Sequence, residues 1–292
     1  MKLSVCIPVY DFDVRQLVFD LKKQIEPYSA DAEIILIDDA SQEKFRNLNQ
    51  ELSDHVNHFI VLEENIGRSR IRNLFLEYAD GDFLLFLDCD VQIDSPQFIS
   101  NYLKIENENP ETDVFYGNFK IDQRFKRTFR NRYSEKREIF HEERSSDFSL
   151  LKTVNFMIRK SLFSQFKFDE KLLHYGYEDY VFAKVLQANE ATFSAFQNPI
   201  IHVDNSSASE FLLKSQTAIE TLVSLLNDPN RRYVQDVKLV KWALKIKKLH
   251  AEKIFLVSYK MISKKIFSNL YSDDPKIFFF DLFKLNELLK RL

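Results

Sequence analysis

Three short segments near the start of the chain carry the side chains best suited to chemistry: Pro8-Val9-Tyr10-Asp11, Asp38-Asp39-Ala40-Ser41 and Asp88-Cys89-Asp90. Two hard carboxylates one residue apart, as in Asp88 and Asp90, can hold a divalent cation through oxygen ligands. Such a cation neutralises a diphosphate and serves as Lewis acid for its departure. A carboxylate such as Asp38 or Asp39 can accept from a nucleobase imide N–H, and the ring of Tyr10 can stack on that base. Taken singly, each segment also has a plainer reading. An acidic pair after a strand is often only a cap for the next helix, and Asp-x-Asp arises by chance in acidic proteins. Their order and spacing favour the chemical reading.

Positioning these groups takes a parallel sheet. Leu3 to Val9 is a nearly continuous apolar run, suited to a strand buried on both faces. Val14, Leu17, Leu21 and Ile25 then fall on one helical stripe. Glu33 to Ile37 is a second strand, a polar helix follows Ser41, and His58 to Leu62 is a third strand. Asn65-Ile66-Gly67 opens a helix carrying Arg68, Arg70 and Arg72, and Asp82 to Leu87 is a fourth strand. Strand and helix in alternation imply a parallel sheet with right-handed crossovers. All three acidic or aromatic segments then lie at carboxyl ends of strands, where open α/β sheets bind ligands. Downstream, Val114 to Phe119 reads as a strand, and the charged stretch Asp122 to Asp147 as a long loop or mobile lid. Strands over 153–158 and 199–203, a short helix from Lys160 and a helix over 178–188 complete the first 205 residues.

Composition excludes several classes. The chain has 292 residues, 45% of them hydrophobic and 29% charged, enough for a sizeable core. Its net charge of -3 argues against a dedicated nucleic-acid binder. Its four glycines are too scattered for a dinucleotide fingerprint or a P-loop. Cys6 and Cys89 cannot build a disulfide scaffold, which fits a reduced, cytoplasmic setting. The opening Met1-Lys2-Leu3-Ser4-Val5 does not read as a signal peptide, and no apolar run is long enough to span a bilayer.

The combined motifs resemble those of the family 2 glycosyltransferases of GT-A fold. The resemblance rests on Pro8-Val9-Tyr10, Ile37-Asp38-Asp39-Ala40-Ser41, Asn65-Ile66-Gly67 with Arg72-Asn73, and Asp88-Cys89-Asp90. Phe168-Asp169-Glu170, Tyr175-Gly176-Tyr177-Glu178-Asp179 and His202 are similar to the second half of chondroitin-polymerase-like and galactosyltransferase-like members. The resemblance implies an α/β, Rossmann-like and mostly parallel sheet flanked by helices, over residues 1–205. It places Pro8, Tyr10, Asp38, Asp39, Arg72 and Asp88 at the nucleotide sugar, with UDP-sugars favoured. It makes Asp90, Asp88 and His202 the ligands of a divalent metal, manganese before magnesium. Asp179 becomes the general base toward an acceptor hydroxyl, and Glu178 holds the acceptor or donor sugar. The activity implied is inverting, metal-dependent hexosyl or N-acetylhexosaminyl transfer to a glycan or lipid-linked acceptor, in bacterial surface polysaccharide synthesis. Two departures stand out: cysteine between Asp88 and Asp90, and Ala40 where many members have glycine.

The residues alone leave plainer readings open. Glu178-Asp179 also suits a helix start on dipole grounds, His202 a core or surface histidine, and Arg68, Arg70 and Arg72 a solvated face. In Tyr175-Gly176-Tyr177 the rings can stack on sugar faces, and Gly176 can let backbone approach the ligand. A non-catalytic nucleotide-sugar-binding or scaffold protein is the alternative function. A nucleotidyltransferase is disfavoured, because no glycine-rich basic loop follows the first strand.

Residues 206–292 read as a helical extension. Residues 230–292 hold 15 Lys and Arg against 6 Asp and Glu. Lys238, Lys241, Lys245 and Lys248 share one helical face, and Leu239, Trp242, Ile246 and Leu249 the neighbouring one. This extension can pack on the catalytic domain, join a second copy in a homodimer, or lie peripherally on the anionic inner face of a membrane. Nucleic acid is disfavoured, since arginine-interleaved stacking aromatics are missing.

Overall fold

The structure, a computed structural model, describes residues 2–28 and 31–292, with Met1 of the opening segment outside them. Its contacts divide the chain into two compact units. One comprises Met1–Asp122, Glu138–Leu173 and Glu178–Val203; the other comprises Gln123–Arg137, His174–Tyr177 and Asp204–Leu292.

The first unit is a mixed α/β body. Its strands are β1 Leu3–Val9, β2 Ala32–Asp38, β3 His58–Val61, β4 Phe83–Leu87, β5 Val91–Gln92, β6 Val114–Tyr116, β7 Phe119–Ile121, β8 Arg144–Ser145, β9 Asn155–Arg159, β10 Phe193–Phe196 and β11 Ile200–His202. Eight form one sheet in the order β3-β2-β1-β4-β9-β6-β10-β8, and β5-β11-β7 form a second. The first four strands are mutually parallel, as continuous apolar runs alternating with helices require. Flanking them are helices Arg15–Ile25, Glu43–Asn49 and Arg68–Leu74. Leu17, Val18, Leu21 and Ile25 bury the first helix on the sheet, matching its predicted stripe closely.

β9 enters antiparallel between β4 and β6. This register sets Asn155, the first residue of β9, opposite Leu87, the last of β4. β9 therefore begins at the edge where the parallel strands end.

Two expectations are corrected here. The single strand over Val114 to Phe119 is two strands in different sheets, separated by Gly117 and by Asn118 at a φ of 66°. Gly117 is required there, because a Cβ would lie 2.4 Å from the Tyr102 hydroxyl and 2.6 Å from Asn155 Nδ2. The expected loop or lid over 122–147 is instead ordered, with helix Phe129–Arg137 in the second unit and strand β8 paired to β10 in the first. Only Phe129 and Tyr133 give that helix an apolar face, so it shows little period of its own. Both rings pack on Phe211 and Phe280 instead, which is tertiary rather than local stabilisation.

Asn155 joins these pieces. It is fully buried, donates through Nδ2 to the carbonyls of Asn118 (2.8 Å) and Asn198 (3.0 Å), and accepts at Oδ1 from the Tyr102 hydroxyl at 2.7 Å. Its amide is thus committed to structure rather than to sugar. Asn155→Ala leaves three buried polar groups unpaired, and a loss of about 2–4 kcal/mol in denaturant melts is expected.

The second unit is helical beyond Ser207, as its sequence predicts. It contains Ala208–Leu226, Lys238–Lys248, Glu252–Leu270 and Ile277–Leu289. The first is opened by a capping box, in which Ser207 Oγ accepts from Glu210 N–H (3.2 Å) and Glu210 Oε2 accepts from Ser207 N–H (2.7 Å). Phe211, Ile266, Leu270, Phe280 and Phe283 form its core, together with Phe129.

Candidate active site

The site grows from the carboxyl edge of the parallel strands. Val9 of β1 is in register with Asp38 of β2, and Asp38 with Val61 of β3, so the loops after all three strands leave from one level. These loops are tied to one another. Asp11 accepts from Gln42 through both carboxylate oxygens (2.7 and 2.9 Å), and the Asp11 N–H donates to Ser41 Oγ at 2.9 Å. Asp38, fully buried, accepts from the Ser41 N–H at 2.7 Å. Tyr10 stands 53% exposed beside them, with its ring available for stacking.

Asp39 is 5% exposed and accepts from two backbone N–H groups, Ile66 at 2.7 Å and Gly67 at 3.1 Å. Burial pushes its carboxyl above the ordinary range, against the pull of those N–H groups. Its visible task is to hold the Asn65–Gly67 turn that starts helix Arg68–Leu74. Asp38 and Asp39 thus both hold loop backbone, while Asp38 Oδ2 is buried with no hydrogen-bond partner among the described residues.

Ala40, just after the pair, sits at a φ of 58°, in the left-handed region. This is the position where glycine is common in the family that the sequence resembles. An alanine there carries about 1–2 kcal/mol of strain, partly offset by the extra unfolded-state freedom of glycine. Ala40→Gly is therefore expected to stabilise the fold by about 0.5–1 kcal/mol, read as a rise in melting temperature.

Of the three arginines, Arg72 has the most defined place. It is 2% exposed; Nη2 donates to Asp88 Oδ1 at 2.6 Å, Nη1 donates to the Arg68 carbonyl at 3.1 Å, and the guanidinium lies over Phe168. The solvated-face reading fails for this residue. Asn73 follows with a role that no spacing could disclose. Its Oδ1 accepts from Phe168 N–H (2.9 Å), and its Nδ2 donates to the Phe168 carbonyl (3.0 Å) and to Glu170 (2.9 Å). It clasps Phe168-Asp169-Glu170 to the helix of the first half.

Past β4, Asp90 and His202 come together. His202 Nε2 lies 3.3 Å from Asp90 Oδ2, and the Val203 N–H donates to the Asp90 carbonyl at 2.8 Å. Burial raises the Asp90 carboxyl, but His202 and Arg68 outweigh it and hold the group below its usual range. Between the aspartates, the Cys89 thiol is pushed up to about 12, first by burial and then by the charge of Asp90, so it stays protonated.

A carboxylate and an imidazole side by side are a donor pair that manganese accepts. Asp88 is engaged by Arg72, and among the described residues no group of three or more His, Cys, Asp or Glu side chains is set to hold an ion. As a donor set, Asp90 and His202 would fit one side of a divalent metal.

Glu178 and Asp179 open helix Glu178–Ala188. Asp179 Oδ2 lies 3.4 Å from Lys152 Nζ, and Oδ1 accepts from Tyr180 N–H at 2.7 Å. Glu178 is 7% exposed and lies 3.7 Å from Arg68 Nη1. Arg68 also acts electrostatically on Asp90, so one guanidinium links the two acidic groups. Lys152 lies in no motif, and the spacing of Arg68 beside Asn65-Ile66-Gly67 does not disclose its contact with Glu178. Burial pushes the Tyr116 hydroxyl up, with the charges of Glu138 and Asp179 adding to it, and the hydroxyl has no hydrogen-bond partner among the described residues.

Gly176 has a different use from the one expected. In the second unit, a Cβ at this residue would lie 2.6 Å from the Ala218 Cβ, so glycine permits close packing on helix Ala208–Leu226.

A sheet of this order with its acidic groups gathered at one carboxyl edge has the GT-A architecture. The chain belongs to glycosyl transferase family 2, whose profile matches residues 4–171. Among relatives, it is 36% identical over 101 residues to the poly(ribitol-phosphate) beta-N-acetylglucosaminyltransferase TarS of Staphylococcus aureus, covering 31% of this chain and 16% of that protein. It is 29% identical over 125 residues to a poly(ribitol-phosphate) beta-glucosyltransferase of Bacillus spizizenii, covering 41% of this chain and 19% of that one. The matched segments thus span under a fifth of these two relatives.

Solved structures share the fold. Residues 1–349 of Staphylococcus aureus TarS in complex with UDP-GlcNAc superpose with a TM-score of 0.56 at 20% identity, covering 80% of this chain and 70% of that one. A mannosyltransferase from Pyrobaculum calidifontis in complex with GDP-Man and Mn2+ gives 0.60 at 13% identity, covering 98% and 85%. No helix among the described residues is long and apolar enough to cross a membrane.

Proposed function

We propose that the chain transfers a sugar from a nucleoside-diphosphate sugar to a hydroxyl of a glycan, polyol-phosphate or lipid-linked acceptor, with inversion, in cell-surface polysaccharide synthesis. A UDP-linked hexose or N-acetylhexosamine is the favoured donor, and the cytoplasmic side of the membrane the setting. The carrying observation is the carboxyl edge of β1, β2 and β4, which Tyr10, Asp39 and Asp88 follow in the chain and beyond which Asp90 meets His202. Family membership and the poly(ribitol-phosphate) glycosyltransferase relatives support the same activity.

In this reading the base lies against the Tyr10 ring, beside the loops after β1 and β2 that Asp38 and Asp39 hold in shape. Pro8 fixes the backbone just before Tyr10. Arg72 holds Asp88 toward the ribose and diphosphate end of the donor. Asp90 and His202 would hold a divalent metal, manganese before magnesium, which when bound neutralises the diphosphate leaving group. Asp179 takes the proton of the acceptor hydroxyl as that oxygen attacks the anomeric carbon. A single carboxylate base acting in one displacement inverts the anomeric centre. Glu178, held by Arg68, orients the acceptor or donor sugar.

Thermal shift across UDP- and GDP-sugars, with and without manganese, tests the donor assignment. The parent is expected to gain stability with a UDP-sugar and manganese together. Asp90→Ala is expected to remove the manganese-dependent part of that shift. Equal shifts without metal would count against the Asp90–His202 assignment.

A further inference from the structure

The second unit exposes apolar side chains where a soluble helical layer would carry polar ones. On helix Glu252–Leu270, Tyr259, Ile266 and Leu270 form the buried face. The opposite face presents Ile254, Val257 and Met261, at i, i+3 and i+7, with Ile254 71% and Met261 81% exposed. Helix Lys238–Lys248 buries Val240 and Ala243 and leaves Trp242 half exposed, with Leu249 exposed just beyond its end. The face predicted from spacing, Leu239-Trp242-Ile246-Leu249, therefore splits, with Leu239 and Ile246 only partly covered.

Lysines flank these residues. Residues 238–265 hold nine lysines and one acidic residue, Glu252. Lys253, Lys260 and Lys264 run along one side of the Ile254-Val257-Met261 row, and Lys265 borders the other. Trp242 is bracketed by Lys238, Lys241 and Lys245, with the Lys245 ammonium 5.2 Å from its ring centroid.

We propose that this lysine-bordered apolar face of the second unit is a docking surface for an anionic lipid bilayer. Ile254, Val257, Met261 and Trp242 would enter the headgroup layer while the lysines meet lipid phosphates. Indole rings favour that layer. Charge complementarity selects this occupant over a second copy. A twofold contact joins the same patch on both chains, which would set one lysine row against another. An acidic lipid surface neutralises the rows instead. The inference rests on residues of the second unit alone and is independent of the proposed glycosyl transfer.

Sedimentation of the full chain with vesicles tests it, comparing phosphatidylcholine alone with phosphatidylcholine plus phosphatidylglycerol. Binding is expected only with the anionic lipid, weakening steeply as salt rises. The double variant Ile254→Ser/Met261→Ser should weaken binding about tenfold or more through lost apolar insertion. The quadruple variant Lys253→Gln/Lys260→Gln/Lys264→Gln/Lys265→Gln should remove the preference for phosphatidylglycerol. All six positions are exposed, and unchanged circular dichroism melts should confirm that both variants fold. Failure of the parent to sediment with anionic vesicles would overturn the proposal, as would binding that both variants retain. So would a concentration-dependent dimer in velocity sedimentation that Ile254→Ser/Met261→Ser dissolves while lipid binding is absent.

Discussion

Asp179→Asn is expected to abolish sugar transfer while leaving donor affinity within about twofold of the parent. General-base catalysis contributes about 10²–10⁴-fold, and asparagine keeps the shape of the side chain while removing its basicity. The ion pair with Lys152 is lost too, but both side chains are partly exposed, at 30% and 24%. Loss of such a pair costs at most about 1 kcal/mol. The melting temperature should therefore hardly move, separating a chemical defect from unfolding. Glu178→Gln gives the contrast. Its partner is Arg68 rather than the reacting proton, so the expected change is chiefly in KM. Nucleotide-release kinetics and donor titration on both variants read these outcomes. Loss of nucleotide binding in Asp179→Asn would move that residue from the base to the donor site.

Arg72→Met is the second large effect. It strips Asp88 of its 2.6 Å partner and leaves a largely buried carboxylate uncompensated. Breaking such a pair costs about 3 kcal/mol, toward the lower end because Asp88 keeps some solvent. Donor affinity should fall as well, by about tenfold, because Asp88 is no longer held toward the diphosphate. Arg72→Lys should recover little, since one ammonium cannot span both Asp88 and the Arg68 carbonyl as the guanidinium fork does. Denaturant melts and donor titration check both parts. A variant with parent stability and affinity would show that the pair is incidental.

Much of this arrangement is legible in the amino-acid order, and the parts that are not share a physical cause. β1, β2 and β4 are apolar runs closed by acidic or aromatic residues, so their ends can be found by inspection. Helix Glu178–Ala188 likewise starts at the residue predicted, with its acidic first turn. Strand direction is another matter. β9 has the same apolar character as the parallel strands β1, β2 and β4, and only the tertiary path makes it antiparallel to its neighbours. Helix Phe129–Arg137 is stabilised by rings more than seventy residues away, which no local window contains.

The same limit governs the site. Motif spacing singles out Asp39, Arg72 and Asp179 as candidates, yet what each one touches cannot be read from it. Asp39 meets the backbone of Ile66 and Gly67, and Asn73 meets Phe168, across separations that composition does not encode. Lys152 lies in no motif and is known only by its distance from Asp179. In the basic helices the residue inventory was legible, whereas the buried face proved to be Val240 and Ala243 rather than Leu239 and Ile246.

The proposed base-catalysed single displacement at this acidic edge inverts the anomeric centre. The most direct test is the anomeric configuration of the sugar transferred, or released to water, from an α-linked nucleoside-diphosphate sugar. Proton NMR within the first minutes of turnover reads it before mutarotation. A β product, lost in Asp179→Asn, is expected; an α product from the parent would rule out single displacement.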